Sequence, residues 1–198
     1  MKKEIAFFDF DGTITTKDTL LEFIKYSKGT FAMYWGFLLN SPFLVAYKLK
    51  IITNQRAKEK VLKYFFGGMN IIEFNNYCEK FSTNIIPSLL RPKAIEAIQK
   101  FKASDTSVVI VSASPENWIK PWADGLGLQL LATQLVINEQ KITGDIVGLN
   151  CYGPEKVCRI KNHYDLNDYN TIYAYGDSGG DTDMLNISSQ PHFKPFRD

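Results

Sequence analysis

The order of the apolar runs along the chain constrains its fold more than any other feature. Short apolar runs at Ile5–Phe10, Val108–Ala113 and Thr171–Tyr175 are bounded by turn residues and separated by helical patterns. Runs of this kind are typical of strands in a buried parallel sheet. A weaker run at Gln129–Ala132 predicts another strand, and Pro191–Phe193 predicts a short edge strand, because proline is tolerated at sheet edges.

The segments between these runs carry helix and hairpin signals. Thr19-x-x-Glu22 fits a capping box at the start of a helix, and Ser114-Pro115-Glu116 fits an N-cap followed by a first helical turn. The segment Leu135–Val147 predicts a hairpin that lies outside the main sheet.

Together these signals predict a doubly wound, Rossmann-like α/β fold with a parallel sheet and an inserted helical cap. The order is one strand, a long helical stretch, and then alternating helices and strands. We expect residues 1–14 and 91–198 to form the α/β core and residues 15–90 to form the cap domain.

Composition excludes several classes of protein. The 198 residues are 45% hydrophobic and 22% charged, which is typical of a globular chain and excludes overall disorder. The formal net charge of +2 gives no basic footprint, so we expect no nucleic-acid partner. Three cysteines without a CxxC pattern, and an N-terminal apolar run too short for a signal peptide, favour a reduced, cytoplasmic protein.

An uncharged, aromatic segment, Phe31–Tyr47, lies between Lys28 and Lys48. A membrane-spanning helix needs about 20 apolar residues, and Asn40-Ser41-Pro42 interrupts this shorter segment, so we expect no span. One interpretation is two short buried helices joined by a turn at Asn40–Pro42. The other is a surface that makes peripheral contact with the inner face of a membrane, as aromatic, lysine-flanked surfaces do.

Polar side chains follow several predicted strands at the point where each strand ends. In a parallel sheet these ends share one edge, and ligands bind there. A lysine also lies in the first turn of a helix that Pro154 opens. We therefore expect one rim to carry four aspartates, a hydroxyl and an ammonium group, from Asp9, Asp11, Asp177, Asp181, Ser112 and Lys156.

The chemistry of this rim indicates phosphoryl transfer. Carboxylates a few ångströms apart repel one another at low dielectric, so either some of them are protonated or a cation lies among them. Oxygen ligands suit Mg²⁺, whereas a lysine, a serine hydroxyl and backbone amides suit phosphate oxygens. Structural roles stay open for single residues, because Asp9 and Asp11 could cap the strand end, Asp181 could cap a helix, and Ser112 could end its strand.

Four motifs occur in this order: Asp9-x-Asp11-Gly12-Thr13, Ser112 after an apolar run, Lys156, and Gly176-Asp177-x-x-x-Asp181. They resemble the motifs of the haloacid dehalogenase superfamily of phosphatases. The place of the cap, between the first strand and the Ser112 strand, resembles the phosphoserine phosphatase-like branch (subfamily IB). The resemblance implies a Mg²⁺-dependent phosphomonoester hydrolase that acts on a small-molecule phosphate through an aspartyl-phosphate intermediate.

The resemblance also implies a role for each residue. Asp9 would be the nucleophile, and Asp11 would protonate the leaving oxygen and then activate water. Ser112 and Lys156 would hold the transferring oxygens. The implied phosphate and substrate site also includes Gly12, Thr13 and Asp18, and the implied Mg²⁺ site consists of Asp9, Asp11 through its backbone carbonyl, Asp177 and, nearby, Asp181.

Two departures from the family pattern bear on the substrate. Asp18 stands where phosphoserine phosphatases carry a glutamate, and Gly180 stands where they carry an asparagine, which argues against an amino-acid phosphate. The segment Asn150–Lys156 and the aromatic cap look more like the branch of the phosphatidylglycerophosphatases. Two substrate classes therefore stay open: a small soluble phosphate ester, and a lipid phosphate such as phosphatidylglycerophosphate presented at a membrane.

Two interpretations come from other functional classes. Phospho-receiver modules also gather aspartates, a Ser or Thr and a lysine on a parallel sheet, but they place the nucleophile after a later strand and lack a large cap. A non-catalytic membrane-binding module on the same fold is the other alternative, although every catalytic position is filled here. The sequence leaves the oligomeric state open.

Overall fold

Strands from both halves of the chain form a parallel sheet in the computed structural model, which describes residues 3–197. Within these residues the strands are β1 (Glu4–Phe8), β2 (Ser107–Pro115), β3 (Gln129–Thr133), β4 (Leu135–Asn138), β5 (Lys141–Ile146), β6 (Thr171–Gly176) and β7 (Gln190–Phe193). Five of them pair in the order β3-β2-β1-β6-β7, and each neighbouring pair is parallel. The predicted strands of the sheet, including the proline-containing edge strand, are confirmed.

Helices cover both faces of this sheet. In the described part of the chain they are α1 (Thr19–Lys28), α2 (Thr30–Lys48), α3 (Asn54–Phe66), α4 (Ile71–Asn84), α5 (Ile86–Leu89), α6 (Pro92–Ala103), α7 (Glu116–Gly125), α8 (Pro154–His163) and α9 (Thr182–Asn186). Buried residues of α6 and α7 pack on one face, and those of α8 and α9 pack on the other. The predicted doubly wound α/β fold is confirmed, whereas the limits of the cap domain, residues 15–90, stay a prediction.

Burial on both faces explains the unbroken apolar run of β1. Ala6 and Phe8 point into the core that includes the inserted helices, and Ile5 and Phe7 point into the opposite core. All four side chains are 0% exposed. A strand covered on both sides needs apolar residues at successive positions, since neighbouring side chains alternate between the faces.

Strands β4 and β5 form a separate antiparallel hairpin, as predicted. Its turn residues Glu139 and Gln140 have φ of 47° and 62°, which is the left-handed backbone of a tight hairpin turn. The hairpin lies against α3, where a Cβ on Gly144 would come 2.4 Å from the Cα of Lys63. Glycine at residue 144 therefore permits the close contact between hairpin and helix.

Two predicted helix starts are wrong by one or two residues. The N-cap of α1 is Asp18, whose carboxylate accepts from the backbone N–H of Leu21 at 3.1 Å, and Thr19 is the first residue of the helix. Ser114 belongs to β2 and α7 starts at Glu116, so Ser114 is not an N-cap. In both cases the residue expected to cap a helix has its side chain engaged elsewhere in the interior.

Helix α2 runs unbroken through Pro42, so the predicted turn at Asn40–Pro42 is wrong. Within α2 the buried residues are Gly36 and Asn40, so the predicted pair of buried helices is wrong as well. A proline inside a helix costs about 3 kcal/mol, which tertiary packing must offset. Asn40 Nδ2 donates to the carbonyl of Gly36 at 2.9 Å, and a Cβ on Gly36 would lie 2.2 Å from Phe65 of α3. Within residues 3–197, no helix is long and apolar enough to cross a bilayer.

Candidate active site

A cavity of about 240 Å³ opens at the carboxyl ends of the central strands. β1 lies between β2 and β6, and this reversal of strand order is where an α/β sheet forms a binding crevice. Side chains of α1 and α3 close the opposite side of the cavity. The lining residues are Asp9, Asp11, Asp18, Leu20, Asn54, Lys58, Ala113, Ser114, Tyr152, Lys156, Asp177, Ser178 and Asp181.

The Lys156 ammonium group lies between the carboxylates of Asp9 and Asp181. Its Nζ donates to Asp9 Oδ1 and to Asp181 Oδ1, each at 2.6 Å, and to the backbone carbonyl of Val111 at 2.8 Å. The three N–H groups of the ammonium are thus all used. Lys156 is 1% exposed, so this is a buried charge held by two carboxylates and not a solvated lysine.

Burial and charge act in opposite directions on these three groups. Burial raises the pKa of Asp9 to about 7, with a further rise from Asp181, although Lys156 opposes it. Burial lowers the pKa of Lys156, but Asp9 and Asp181 outweigh it and hold the pKa above its ordinary value. Burial also raises the pKa of Asp181, but Lys156 and Ser178 outweigh it and hold the pKa below its ordinary value. Asp9 therefore titrates near neutral pH, while its two partners stay charged.

Asp181 also holds the loop that follows β6. Its Oδ2 accepts from the backbone N–H groups of Asp177 at 3.1 Å and Ser178 at 2.9 Å, and from Ser178 Oγ at 2.9 Å. Ser178 and Asp181 form a capping box for the short helical turn Gly179–Asp181. The Asp181 carboxylate therefore takes part in a helix-capping box and also lines the cavity, and its predicted role at the metal stays a prediction.

Three carboxylates lie close enough to share a cation. One oxygen from each of Asp9, Asp177 and Asp181 lies within 4.8 Å of the others. The Arg197 guanidinium lies against Asp177, with Nη2 2.5 Å from Oδ2. Burial and Asp181 together raise the pKa of Asp177, although Arg197 opposes them. The Asp177 carboxylate thus pairs with the Arg197 cation. Carboxylate oxygens such as those of this cluster are ligands that fit Mg²⁺.

Gly12 and Thr13 lie against the carboxylates of Asp177 and Asp9. They lie in a single wide turn, Phe10–Ile14, that follows β1. Thr13 Oγ1 donates to Asp9 Oδ2 at 3.1 Å. Gly12 has φ of +80°, and a Cβ there would lie 2.4 Å from Asp177 Oδ2, so only glycine lets the backbone pass this close. The structure places both residues against carboxylates of the cluster.

The Asp11 carboxylate points away from this cluster. Its Oδ1 accepts from the backbone N–H of Thr19 at 2.6 Å, and its Oδ2 accepts from Ser114 Oγ at 2.6 Å. Thr19 Oγ1 in turn lies 3.4 Å from Ser114 Oγ and accepts from Trp118 Nε1 at 3.0 Å. These bonds hold the Asp11 side chain at the cavity wall, apart from the three clustered carboxylates.

Ser112 lies deeper than expected for a residue that contacts substrate. It is 0% exposed, and its Oγ accepts from the backbone N–H of Ser114 at 3.0 Å. Ala113 and Ser114 form this part of the cavity wall. The Ser112 hydroxyl thus shapes the turn at the end of β2, and its predicted role at the phosphate stays a prediction.

The inserted segment contributes a second set of charges, Lys58 and Asp18, of which only Asp18 is predicted from the sequence. Lys58 of α3 donates to the carbonyl of Ala113 at 2.9 Å and to Asn150 Oδ1 at 3.4 Å. Burial lowers the pKa of Lys58, although Asp11 and Asp18 oppose this. Burial raises the pKa of Asp18 to about 6, with a further rise from Asp11. Lys58 belongs to no motif and stands within an ordinary amphipathic helix, so only the fold brings it to the site.

Two similar proteins align in sequence with nearly the whole length of the chain. "Protein CicA" of Caulobacter vibrioides is 36% identical over 194 residues, which cover 96% of this chain and 85% of the relative. A "Probable phosphatase" of Mycobacterium tuberculosis is 28% identical over 186 residues, which cover 91% of this chain and 64% of the relative.

Solved structures show the same fold at low sequence identity. A protein of unknown function from Bordetella pertussis has a TM-score of 0.84 at 22% identity and covers 96% of this chain and 89% of its own. A phospho-aspartyl intermediate analogue of phosphoserine phosphatase has a TM-score of 0.63 at 20% identity and covers 95% of this chain and 84% of its own.

The family is established by a match to the model of a whole protein family, together with the relatives above. The model of haloacid dehalogenase-like hydrolases matches residues 6–186, a range that contains Asp9 through Asp181, most of β1 and the whole of β2, β3 and β6. The chain therefore belongs to the haloacid dehalogenase-like hydrolases, and the expected enzyme family is confirmed.

Proposed function

We propose that the protein is a Mg²⁺-dependent phosphatase that hydrolyses phosphomonoesters through an aspartyl-phosphate on Asp9. The observation that carries this proposal is the geometry around Asp9, whose carboxylate touches the Lys156 ammonium at 2.6 Å and shares a cluster with Asp177 and Asp181. Two similar proteins support the same chemistry, since the mycobacterial relative is named a probable phosphatase and the phosphoserine phosphatase structure contains an analogue of a phospho-aspartyl intermediate.

The charge of the cavity supports the need for a cation. Five lining carboxylates, from Asp9, Asp11, Asp18, Asp177 and Asp181, face two ammonium groups, from Lys58 and Lys156. A phosphate dianion is repelled by such an excess of negative charge. Asp9, Asp177 and the backbone carbonyl of Asp11 would hold Mg²⁺, with Asp181 beside them. The ion would neutralise the phosphate oxygens and the attacking carboxylate.

In the first half-reaction an oxygen of ionised Asp9 attacks phosphorus, and the bond between phosphorus and the ester oxygen breaks. The Asp11 carboxyl group donates its proton to the departing oxygen. In the second half-reaction the Asp11 carboxylate takes a proton from water as the water attacks the aspartyl-phosphate. Phosphate then leaves and Asp9 is free again. Lys156, fixed by Asp181, balances the charge that develops on the transferring oxygens.

The residues of the inserted helices define the place of the leaving group. Asp18 and Lys58 lie on the cavity side opposite the sheet, so they would contact the part of the substrate beyond the phosphate. A cavity of about 240 Å³ accommodates a compact phosphate ester or the headgroup of a larger one. A small-molecule phosphate is the leading substrate class, and a lipid phosphate is the second.

Phosphate release with Mg²⁺, and its loss with EDTA, tests the activity on a mixed panel of esters. The panel contains phosphoserine, sugar phosphates, phosphatidylglycerophosphate and p-nitrophenyl phosphate. We expect Asp9→Asn to abolish turnover, and Asp183→Asn, a change of the same kind outside the cavity lining, to preserve it. Turnover by Asp9→Asn at the wild-type rate would rule out an aspartyl-phosphate on Asp9.

A chemical trap tests the intermediate itself. Rapid acid quenching of the enzyme with ³²P-labelled substrate should leave label on the protein that hydroxylamine releases, as an acyl phosphate requires. The label should be absent from Asp9→Asn. Stable label on a serine or histidine would contradict the assignment of Asp9.

A further inference from the structure

Helix α2 presents a broad apolar face to solvent. Phe31 is 82% exposed, Tyr34 67% and Leu38 61%. Other large, exposed apolar side chains lie along the helix and at its C-cap: Trp35, Leu39, Phe43, Val45 and Leu49. Scattered apolar residues are ordinary on a protein surface, but a continuous cluster of aromatic and aliphatic side chains marks an interaction site.

The opposite side of α2 is already occupied. Phe37 packs on Phe65 of α3 with ring centroids 5.8 Å apart, and Gly36 lets the two helices approach closely. A helix that is apolar on both sides belongs to a protein interior or to a membrane environment. Because α3 covers only the inner side, the outer apolar face is left for a partner outside the described chain.

The charges around α2 identify the kind of partner. Between Glu22 and Glu59 the sequence contains no acidic residue, whereas basic residues occur at Lys25, Lys28, Lys48, Lys50, Arg56 and Lys58. A second copy of the chain docked through α2 would bring the lysines near the two ends of α2, Lys25, Lys28, Lys48 and Lys50, together without compensating acids on this segment. Lysines that flank an aromatic face complement anionic lipid headgroups.

A second cavity lies beside α2. It has a volume of about 430 Å³, and Phe43 of α2 forms part of its wall. Lys60 Nζ lies 5.2 Å from the centroid of the Phe43 ring. The remaining wall carries three cations and two acids, with one apolar side chain: Ile52, Arg56, Glu59, Lys60, Lys63 and Asp145. Basic side chains thus lie close to Phe43 of α2.

The carboxyl-terminal end of α2 reaches the edge of the candidate active site. Tyr47 OH accepts from Asn54 Nδ2 at 3.2 Å, and it lies beside Tyr152. Asn54 and Tyr152 both line the cavity that contains Asp9. A surface that bound α2 would therefore lie close to the mouth of that cavity.

We propose that α2 docks on the surface of a bilayer that contains anionic lipids. Phe31, Trp35 and Leu38 enter the headgroup region, and the flanking lysines meet the lipid phosphates. The docking stands independently of the catalytic assignment. If the proposed phosphatase function also holds, docking presents the cavity with a phosphate carried by an amphiphile in that bilayer.

Sedimentation with vesicles tests the docking. We expect the wild-type protein to sediment with vesicles of equal parts phosphatidylcholine and phosphatidylglycerol, and far less with phosphatidylcholine alone. Phe31→Ser with Leu38→Ser should weaken binding about tenfold or more, because two exposed anchors are removed. Ile72→Ser on α4 is the matched control, since Ile72 is 68% exposed and lies outside α2.

The contribution of the lysines to vesicle binding and the depth of Trp35 in the bilayer are tested separately. Lys48→Gln with Lys50→Gln should weaken binding to anionic vesicles about tenfold, whereas Lys100→Gln with Lys161→Gln should leave it unchanged. Lipids brominated near the headgroup should quench Trp35, because Trp118 and Trp122 are 0% and 9% exposed. Trp35→Phe should abolish most of that quenching.

The outcomes separate docking from catalysis. Absence of vesicle binding in a protein that still hydrolyses soluble esters would overturn the docking and leave the phosphatase intact. Vesicle binding without any phosphatase activity would support the docking and overturn the catalytic proposal. A concentration-dependent dimer that Phe31→Ser with Leu38→Ser dissociates, in a protein that does not bind vesicles, would assign the face to a second copy and overturn the proposal.

Discussion

Ser114 Oγ donates a hydrogen bond of 2.6 Å to Asp11 Oδ2, at the end of strand β2. Ser114 is itself 3% exposed, and Thr19 and Trp118 continue the chain of bonds into the interior. A hydroxyl that donates to a carboxylate oxygen fixes the orientation of that side chain. The bond therefore positions the side chain that we propose as the acid and base of the reaction.

Asp11→Asn should reveal that role through the leaving group. Without the acid, the rate should fall about 10²- to 10⁴-fold for an alkyl phosphate. The loss should be much smaller for p-nitrophenyl phosphate, because nitrophenolate departs without protonation. Steady-state rates on both esters, with Mg²⁺ saturating, provide the measurement. Equal losses on the two esters would contradict the role of Asp11.

Ser114→Ala and Ser112→Ala should have different kinetic signatures. Ser114→Ala should lower kcat about tenfold on alkyl phosphates and less on aryl phosphates, since it loosens Asp11 by one hydrogen bond to a charged group. Ser112→Ala should raise KM and lower kcat on both esters alike if Ser112 holds the transferring oxygens. Thermal unfolding of both variants shows whether either change merely disturbs β2.

Much of the fold could be predicted from the sequence because the decisive signals are local. The runs at Ile5–Phe10 and Thr171–Tyr175 are apolar at successive positions since both faces of the sheet are covered. Asp9 and Asp177 directly follow strands, so parallel pairing alone brings them to one edge. These inferences need no knowledge of how the distant helices pack.

The errors arise where tertiary contacts decide. Ser114 has the local pattern of a helix cap, but its hydroxyl donates to the half-buried carboxylate of Asp11, and β2 continues through it. Pro42 is a local helix breaker, but packing of α2 on α3 keeps the helix whole. Lys58 stands far from every motif and reaches the site only because α3 lies over the sheet edge. Sequence periodicity carries no information about such contacts.

A comparison of Gly12→Ala with Gly68→Ala should distinguish the effect of backbone strain on stability from the effect of displacing Asp177 on activity. Both glycines have a positive φ, +80° and +84°, so alanine should cost each variant about 1 kcal/mol of folding stability. Only at Gly12 would the new Cβ meet Asp177, 2.4 Å from its Oδ2, whereas nothing lies within 4 Å at Gly68. We expect activity and Mg²⁺ response to fall in Gly12→Ala alone. Similar kinetics in the two variants would show that Asp177 tolerates displacement.

The stability of the metal-free protein should depend on Asp9. Burial raises the pKa of this carboxyl group from 3.8 to about 7, so the folded protein holds a proton that the unfolded chain releases between those values. The Asp9 contribution to the free energy of unfolding therefore falls as pH rises from about 4 to about 7. The free energy of unfolding of Asp9→Asn should therefore rise relative to that of wild type by on the order of 4 kcal/mol from about pH 4 to about pH 7.

Urea unfolding in EDTA at several pH values provides the comparison between wild type and Asp9→Asn. Addition of Mg²⁺ should remove most of the difference, because a bound cation favours the ionised carboxylate. Parallel stability curves for the two proteins in EDTA would mean that Asp9 is already ionised at low pH.

Arg197 should compete with Mg²⁺ for Asp177. Its guanidinium contacts Asp177 Oδ2 at 2.5 Å, and the Arg197 side chain is 40% exposed. Binding of Mg²⁺ to Asp177 must weaken this ion pair, and a partly exposed pair is worth at most about 1 kcal/mol. Arg197→Ala should therefore lower the Mg²⁺ concentration for half-maximal activity about two- to fivefold. Lys194→Ala, which removes a cation from the same terminal segment, is the control. A drop in maximal activity without a change in the Mg²⁺ response would mean that Arg197 acts on the substrate phosphate instead of the metal site.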